Sequence, residues 1–149
     1  MKEKLTSKVS IHIKAPVSKV WSALTEPDQI KKYFFGTNTI TDWKPGNPVR
    51  FTGEWDGKTY EDKGTVLQND GESLLSYDYW SSMSGTEDKP ENYATVTYEL
   101  QNTGSGTELT ITQDNISDEK AKEHSAQNWN AIVQGLKELV EHRDAAPGA

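Results

Sequence analysis

The side chains able to do acid–base, nucleophilic or metal chemistry are few and scattered. Cysteine is absent, which excludes disulfides, thiolate nucleophiles and thiolate metal sites. The three histidines, His12, His124 and His142, show no HExxH spacing and no second ligand at i+3 or i+4, so no metal site is expected. No serine sits in a GxSxG elbow, and the Gly104-Ser105-Gly106 run is too short for a dinucleotide fingerprint and reads as a hairpin turn. The acidic pairs Glu61-Asp62 and Glu87-Asp88 are sequence neighbours. Neighbours on a strand face opposite sides, so Glu61 and Asp62 cannot form one catalytic dyad. Asp62 alone shares its parity with Tyr60, Gly64 and Val66, the face expected to point inward. A carboxyl there would have its pKa raised by burial; the commoner outcome is a rim position in water. His12 falls on the polar face of its strand with Ser10 and Lys14, and His142 suits the C-terminal end of a helix dipole. His124, five residues before Trp129, points about 140° away from it around a helix, which makes it a flank residue. The chain therefore offers no catalytic residue by sequence.

The residues better suited to binding are aromatic. Phe51, Trp55, Tyr77, Tyr79 and Tyr98 fall on the parities expected to face inward, and Trp129 and Val133 fall on the apolar stripe of the last helix. An aromatic concave wall with a few hydroxyls suits an aromatic or amphipathic small molecule. Plain core packing has the same composition, so these seven residues read as pocket wall or as core with both alternatives open.

The elements that must position them follow from periodicity. Val9, Ile11 and Ile13 alternate with polar residues as in a half-buried strand. Pro16 then stands where a helix can start, and Val17, Val20, Trp21 and Leu24 recur at helical spacing. Pro27 interrupts the chain, and a second short helix is expected over 28–33 with Asp28 in its first turn. Beyond a loop containing Trp43, with weak strand character near Thr37–Thr41, a strand runs from Val49 to Trp55. Asp56-Gly57 signals a hairpin into a strand from about Lys58 to Gln68, where Gly64 is the expected site of a bulge. Asp70-Gly71 marks the next turn, and Leu75, Tyr77 and Tyr79 alternate after it. Residues 81–92 are polar and read as an exposed loop. Ala94, Val96, Tyr98 and Leu100 share one face of a further strand, which NTGSG (102–106) turns into a last one carrying Leu109 and Ile111. Ser117 or Asp118 can cap the final helix, whose apolar positions are Ala121, Trp129, Ile132, Val133, Leu136, Leu139 and Val140. Residues from about 143 to 149 read as a frayed, flexible tail.

These elements fit a single domain over residues 1–149. A net charge of −7 argues against nucleic acid, which needs a concentrated basic surface. No apolar run approaches the roughly 18–20 residues of a membrane span, and no signal core or anchor is visible, so a cytoplasmic protein is expected. Mean hydropathy is −0.81, yet five Trp, six Tyr and three Phe give the core its large side chains.

Four segments carry a resemblance to known proteins: VWSALTEPDQIKKYF (20–34), GTVLQNDGESLLSYDYW (64–80), GSGTELTI (104–111) and NWNAIVQGLKELVE (128–141). In this order they resemble the helix-grip (SRPBCC) superfamily, which includes START-like lipid carriers, the birch-pollen allergen and polyketide cyclases. Within it the chain looks similar to the family named for the activator of the 90-kDa heat-shock protein's ATPase. Asn128 departs from the Gly that many relatives carry before the Trp. The resemblance implies an α+β fold, a curved antiparallel sheet of six or seven strands around a long C-terminal helix with two short helices after the first strand. It also implies a pocket for a small hydrophobic, aromatic or lipid-like ligand between Trp129, Val133 and the inner sheet face, with 81–92 and 28–35 near its entrance and no cofactor. A chaperone-linked interaction module is the alternative that the family's name implies. A cyclase- or hydrolase-type enzyme using Asp62 or His124 as acid or base is a third, from fold analogy.

Overall fold

The computed structural model describes residues 5–34, 36–55, 57–81, 87–116 and 118–145, without the side chains of Trp55 and of 142–145. Strand β1 (Leu5–Ile13) leads into two short helices, α1 (Val17–Thr25) and α2 (Pro27–Tyr33). Pro16 is the N-cap of α1, and Pro27 ends that helix while starting the next, because it can supply the first helical φ but no backbone N–H. Asp28 in the first turn of α2 and Lys31 and Lys32 in its last turn suit the helix dipole.

The two helices carry the chain to the far edge of the sheet. From there β2 (Asn38–Ile40), β3 (Pro48–Trp55), β4 (Lys58–Asn69), β5 (Leu74–Ser81), β6 (Ala94–Asn102) and β7 (Thr107–Ile116) return as an antiparallel meander, and β7 pairs with β1. The spatial order is β1-β7-β6-β5-β4-β3-β2. The final helix, α3 (Glu119–Ala145), lies over β1, with α1 and α2 also packed against it. Asp118 Oδ1 accepts from the Ala121 backbone N–H at 2.8 Å, so Asp118 caps α3; Ser117 lies outside the described residues. The expected stripe is buried at Trp129, Ile132, Val133, Leu136 and Val140. Its partners are the inward rows of the sheet, among them Ile13, Leu109, Ile111, Val96 and Leu75. Among the described residues no helix is long and apolar enough to cross a membrane.

Several sequence expectations are corrected. The register shift of β4 falls between Val66 and Gln68, not at Gly64. Gly64 instead permits a close approach, since a Cβ there would overlap the Asp78 carbonyl oxygen. Ser81 belongs to β5, and Pro90–Asn92 form a short 3-10 turn, so only part of 81–92 is irregular loop; 82–86 lie outside the described residues. The helical stretch continues through Ala145, and 146–149 lie outside the described residues. Of the Asp56-Gly57 turn only Gly57 is described, at φ +78° as such a turn needs. Trp43 lies in the loop between β2 and β3 as expected, yet its side chain is in the core: its Nε1 donates to the Thr25 carbonyl at 2.8 Å and its ring lies 6.1 Å from that of Tyr77. It reaches this position from a left-handed backbone at φ +60°, which no pattern of periodicity reveals.

Candidate functional site

The inward faces of β3, β5 and β6 bring most of the predicted wall together. Phe51, Tyr77, Tyr98, Trp129 and Val133 are buried, and Tyr79 is half-buried. The side chain of Trp55 lies outside the described residues. Phe34, the C-cap residue of α2, closes the set into a circuit. Ring centroids are separated by 6.2 Å for Phe34–Phe51, 5.5 Å for Phe51–Tyr77 and 5.7 Å for Tyr77–Tyr98. The circuit is completed by Tyr98–Trp129 at 6.1 Å and Trp129–Phe34 at 6.0 Å. Three of these contacts are edge-on, with interplanar angles of 86°, 78° and 83°, the arrangement that ring quadrupoles favour. The wall is thus held ring against ring, and Tyr79 attaches to it through Tyr77 at 6.5 Å.

The polar atoms within this interior are ordered. The Tyr77 and Tyr98 hydroxyls hydrogen-bond at 2.9 Å, and burial drives both pKa values far above the usual phenol range. Trp129 Nε1 donates to Gln113 Oε1 at 2.7 Å, and Ser125 Oγ lies 3.1 Å from the same oxygen. Gln113 also hydrogen-bonds Tyr79, whose pKa is pushed up to about 12, first by burial and then by the charge of Asp62.

Asp62 does face inward, as its parity predicts. Its register partners are Phe51 on β3 and Ser81 on β5, and Phe51 in turn pairs with Thr39 on β2. The row Thr39–Phe51–Asp62–Ser81 therefore crosses four strands on the concave face. Desolvation raises the Asp62 carboxyl pKa, and a hydrogen bond with Ser81 partly opposes it. Asp62 Oδ1 and Thr39 Oγ1 are both buried with no hydrogen-bond partner among the described residues. Its neighbour Glu61 takes the opposite face and pairs with Arg50.

The other titratable candidates stand apart. His12 Nε2 lies 3.2 Å from Thr103 Oγ1 and 3.3 Å from Ser105 Oγ, at the β6–β7 turn. His124 is exposed on α3, and the side chain of His142 is outside the described residues. Two depressions, of about 390 and 820 Å³, are lined by outward polar residues such as Glu99 and Glu108 in one and Arg50 and Glu61 in the other. Neither is lined by a residue of the aromatic circuit.

Sequence reasoning missed Phe34, Gln113 and Thr39. Gln113 shares the parity of Leu109 and Ile111 along β7, which could have placed it inside. Thr39 sits on a three-residue strand too short to show alternation. Phe34 follows the last helical turn with φ −110° and ψ 52°, outside any regular period.

A long terminal helix held by an antiparallel sheet, with two short helices beside it and an aromatic interior, defines a helix-grip domain. The chain belongs to the family described as activator of Hsp90 ATPase homolog 1-like protein, whose model matches residues 14–141. A search of curated proteins finds no match. Among solved structures, the solution structure of ChR145 from Cytophaga hutchinsonii is 46% identical, with a TM-score of 0.85, over 98% of this chain and 100% of that one. MLL2253 from Mesorhizobium loti is 22% identical with a TM-score of 0.76, over 93% of this chain and 98% of that one. NE0264 from Nitrosomonas europaea is 24% identical with a TM-score of 0.75, over 95% and 97%. The last two likenesses are of fold alone.

Proposed function

We propose that this protein binds a small, largely apolar molecule on the concave face, at the end of the aromatic circuit where Phe34, Tyr79, Asp62 and Gln113 are half-buried. The observation that carries this reading is the change in burial along the concave face. Leu109, Val133 and Leu136 are fully sealed, whereas Phe34 and Tyr79 keep aromatic surface partly accessible beside polar groups. Half-covered aromatic surface with a few convergent polar atoms is the usual composition of a small-molecule site. Phe51, Tyr77, Tyr98, Trp129 and Val133 form the floor of this site, and Tyr79 its lip. Binding draws on apolar burial, and the polar groups set orientation.

The test is native mass spectrometry of the purified protein together with a lipid and aromatic library titrated against tryptophan emission. A saturable change that is lost on substituting Tyr79 supports the reading. No retained ligand and no saturable change across the library would defeat it. A role as a chaperone-associated module rests on the family's description alone, and an enzymatic one on fold analogy.

A further inference from the structure

The polar end of the proposed site has hydrogen-bonding directions fixed by chemistry. An indole N–H can only donate, so the Gln113 atom 2.7 Å from Trp129 Nε1 is the carbonyl oxygen. Ser125 Oγ, 3.1 Å from that oxygen, donates to it as well. Both bonds fix the orientation of the amide and leave its nitrogen as the group that meets Tyr79. An amide nitrogen donates, so Tyr79 Oη is the acceptor and its own hydroxyl hydrogen remains available to a further acceptor.

Asp62 supplies the complementary vacancy. It pairs with Ser81 across β4 and β5, and Tyr79 is the next residue on the same face of β5, two positions before Ser81. Asp62 Oδ1 is buried and accepts from no described residue, so Tyr79 does not serve it. The same end of the concave face therefore holds one donor and one acceptor that do not satisfy each other. Left unpaired in a desolvated position, such groups cost free energy that a bound partner recovers.

We propose that the ligand of this site carries a hydroxyl on an aromatic or apolar body, the hydroxyl accepting from Tyr79 and donating to Asp62 while the body lies against Phe34 and Phe51. This inference rests on the proposed binding function and names the class of molecule it takes. A hydroxyl is the smallest group that both accepts and donates. A ligand carboxylate would place a second negative charge beside Asp62. A bare hydrocarbon would leave the carboxylate oxygen buried and unpaired.

The experiment uses three probes of one shape, naphthol, naphthalene and naphthoate, titrated into the full-length protein. Affinities are read by NMR from the Gln113 side-chain amide and the Trp129 indole N–H. Naphthol is expected to bind about tenfold or more tightly than either of the others, as a hydrogen bond to a charged group provides. Tyr79→Phe should narrow the gap between naphthol and naphthalene, and Asp62→Asn should admit naphthoate. Both variants keep the shape of the site. Equal binding of naphthol and naphthalene, or preference for naphthoate, overturns the hydroxyl assignment while leaving an apolar site standing. Absence of binding by all three overturns both this inference and the function on which it rests.

Discussion

Truncation of Trp129 separates a packed aromatic interior from an open one. The indole is 6% exposed, meets Phe34 and Tyr98 edge-on, and donates to Gln113 at 2.7 Å. Trp129→Ala removes the ring and opens the circuit at two contacts, so the expected loss is about 3–5 kcal/mol of folding stability. Loss of the hydrogen bond is a smaller part, about 1 kcal/mol, because Gln113 Oε1 keeps the Ser125 donor. Trp129→Phe isolates that part: it keeps a ring against Phe34 and Tyr98 and should cost about 1–2 kcal/mol. The assay is urea unfolding followed by far-UV circular dichroism, since tryptophan emission is altered by the substitution itself. Stability differences come from midpoints at a common m-value. A loss below about 1.5 kcal/mol for Trp129→Ala would refute the packing, because no buried indole in ring contact on two sides is removed so cheaply.

Asp62→Asn should raise stability at pH 7 by about 1 kcal/mol, or about 2–4 °C in Tm. The folded pKa of Asp62 is raised, so its contribution to stability is fully present below the unfolded value near pH 4 and is lost as pH rises through the folded value. The advantage of the variant should therefore vanish in thermal melts at pH 3.5, and an advantage unchanged with pH would contradict the assignment. Gly64→Ala puts a Cβ into the Asp78 carbonyl oxygen and should cost about 3 kcal/mol or more, whereas Gly46→Ala, with open space but φ +89°, should cost only about 1–2 kcal/mol. Equal losses in parallel melts would remove the close-approach argument. Tyr77→Phe leaves the Tyr98 hydroxyl without its 2.9 Å partner and should cost about 1–2 kcal/mol. The double variant with Tyr98→Phe should cost less than the two singles added, and strict additivity would mean the hydroxyls do not pair.

The concave face was legible in the sequence because strand alternation is rigid. Once Val49 is inside, Phe51 must be, and the same step-by-two logic places Tyr77, Tyr98 and Asp62. What alternation does not supply is which inward residues meet across strands. That depends on register, set here by turns and by the irregularity between Val66 and Gln68, a place the sequence marks with no glycine or proline. Gly64 shows the matching ambiguity: a strand glycine announces either a bulge or a close neighbour, and only the neighbouring strand decides. Phe34 and Trp43 escape for a different reason. Their side chains enter the interior from a helix cap and a left-handed loop residue, where direction follows from individual torsions and not from a period. The long helix was legible at its start, where Asp118 offers a cap, and less so at its end. No proline stands in the run before Pro147, and its one glycine, Gly135, is carried within the helix, which reaches Ala145.

The position of Asp62 ties stability to the proposed function. Among the described residues, several polar groups of the aromatic interior pair within the fold: Tyr77 with Tyr98, Trp129 with Gln113, and Gln113 with Ser125 and Tyr79. Asp62 Oδ1 and Thr39 Oγ1 do not, and they flank Phe51 in one cross-strand row. An apolar residue at position 62 would fill the same face without the desolvation cost, so folding alone gives no reason for a carboxylate there. Among the described residues the unpaired polar atoms of the interior stand at two inward positions on either side of Phe51, where a ligand would pair them. This yields a coupled expectation. Ligand binding should stabilise the wild-type protein more than it stabilises Asp62→Asn, because only the wild type has an unpaired charge to satisfy. With naphthol as the probe, a thermal shift at saturation equal in the two proteins would show that the carboxylate takes no part in binding, and its burial would then stand as a cost without a return.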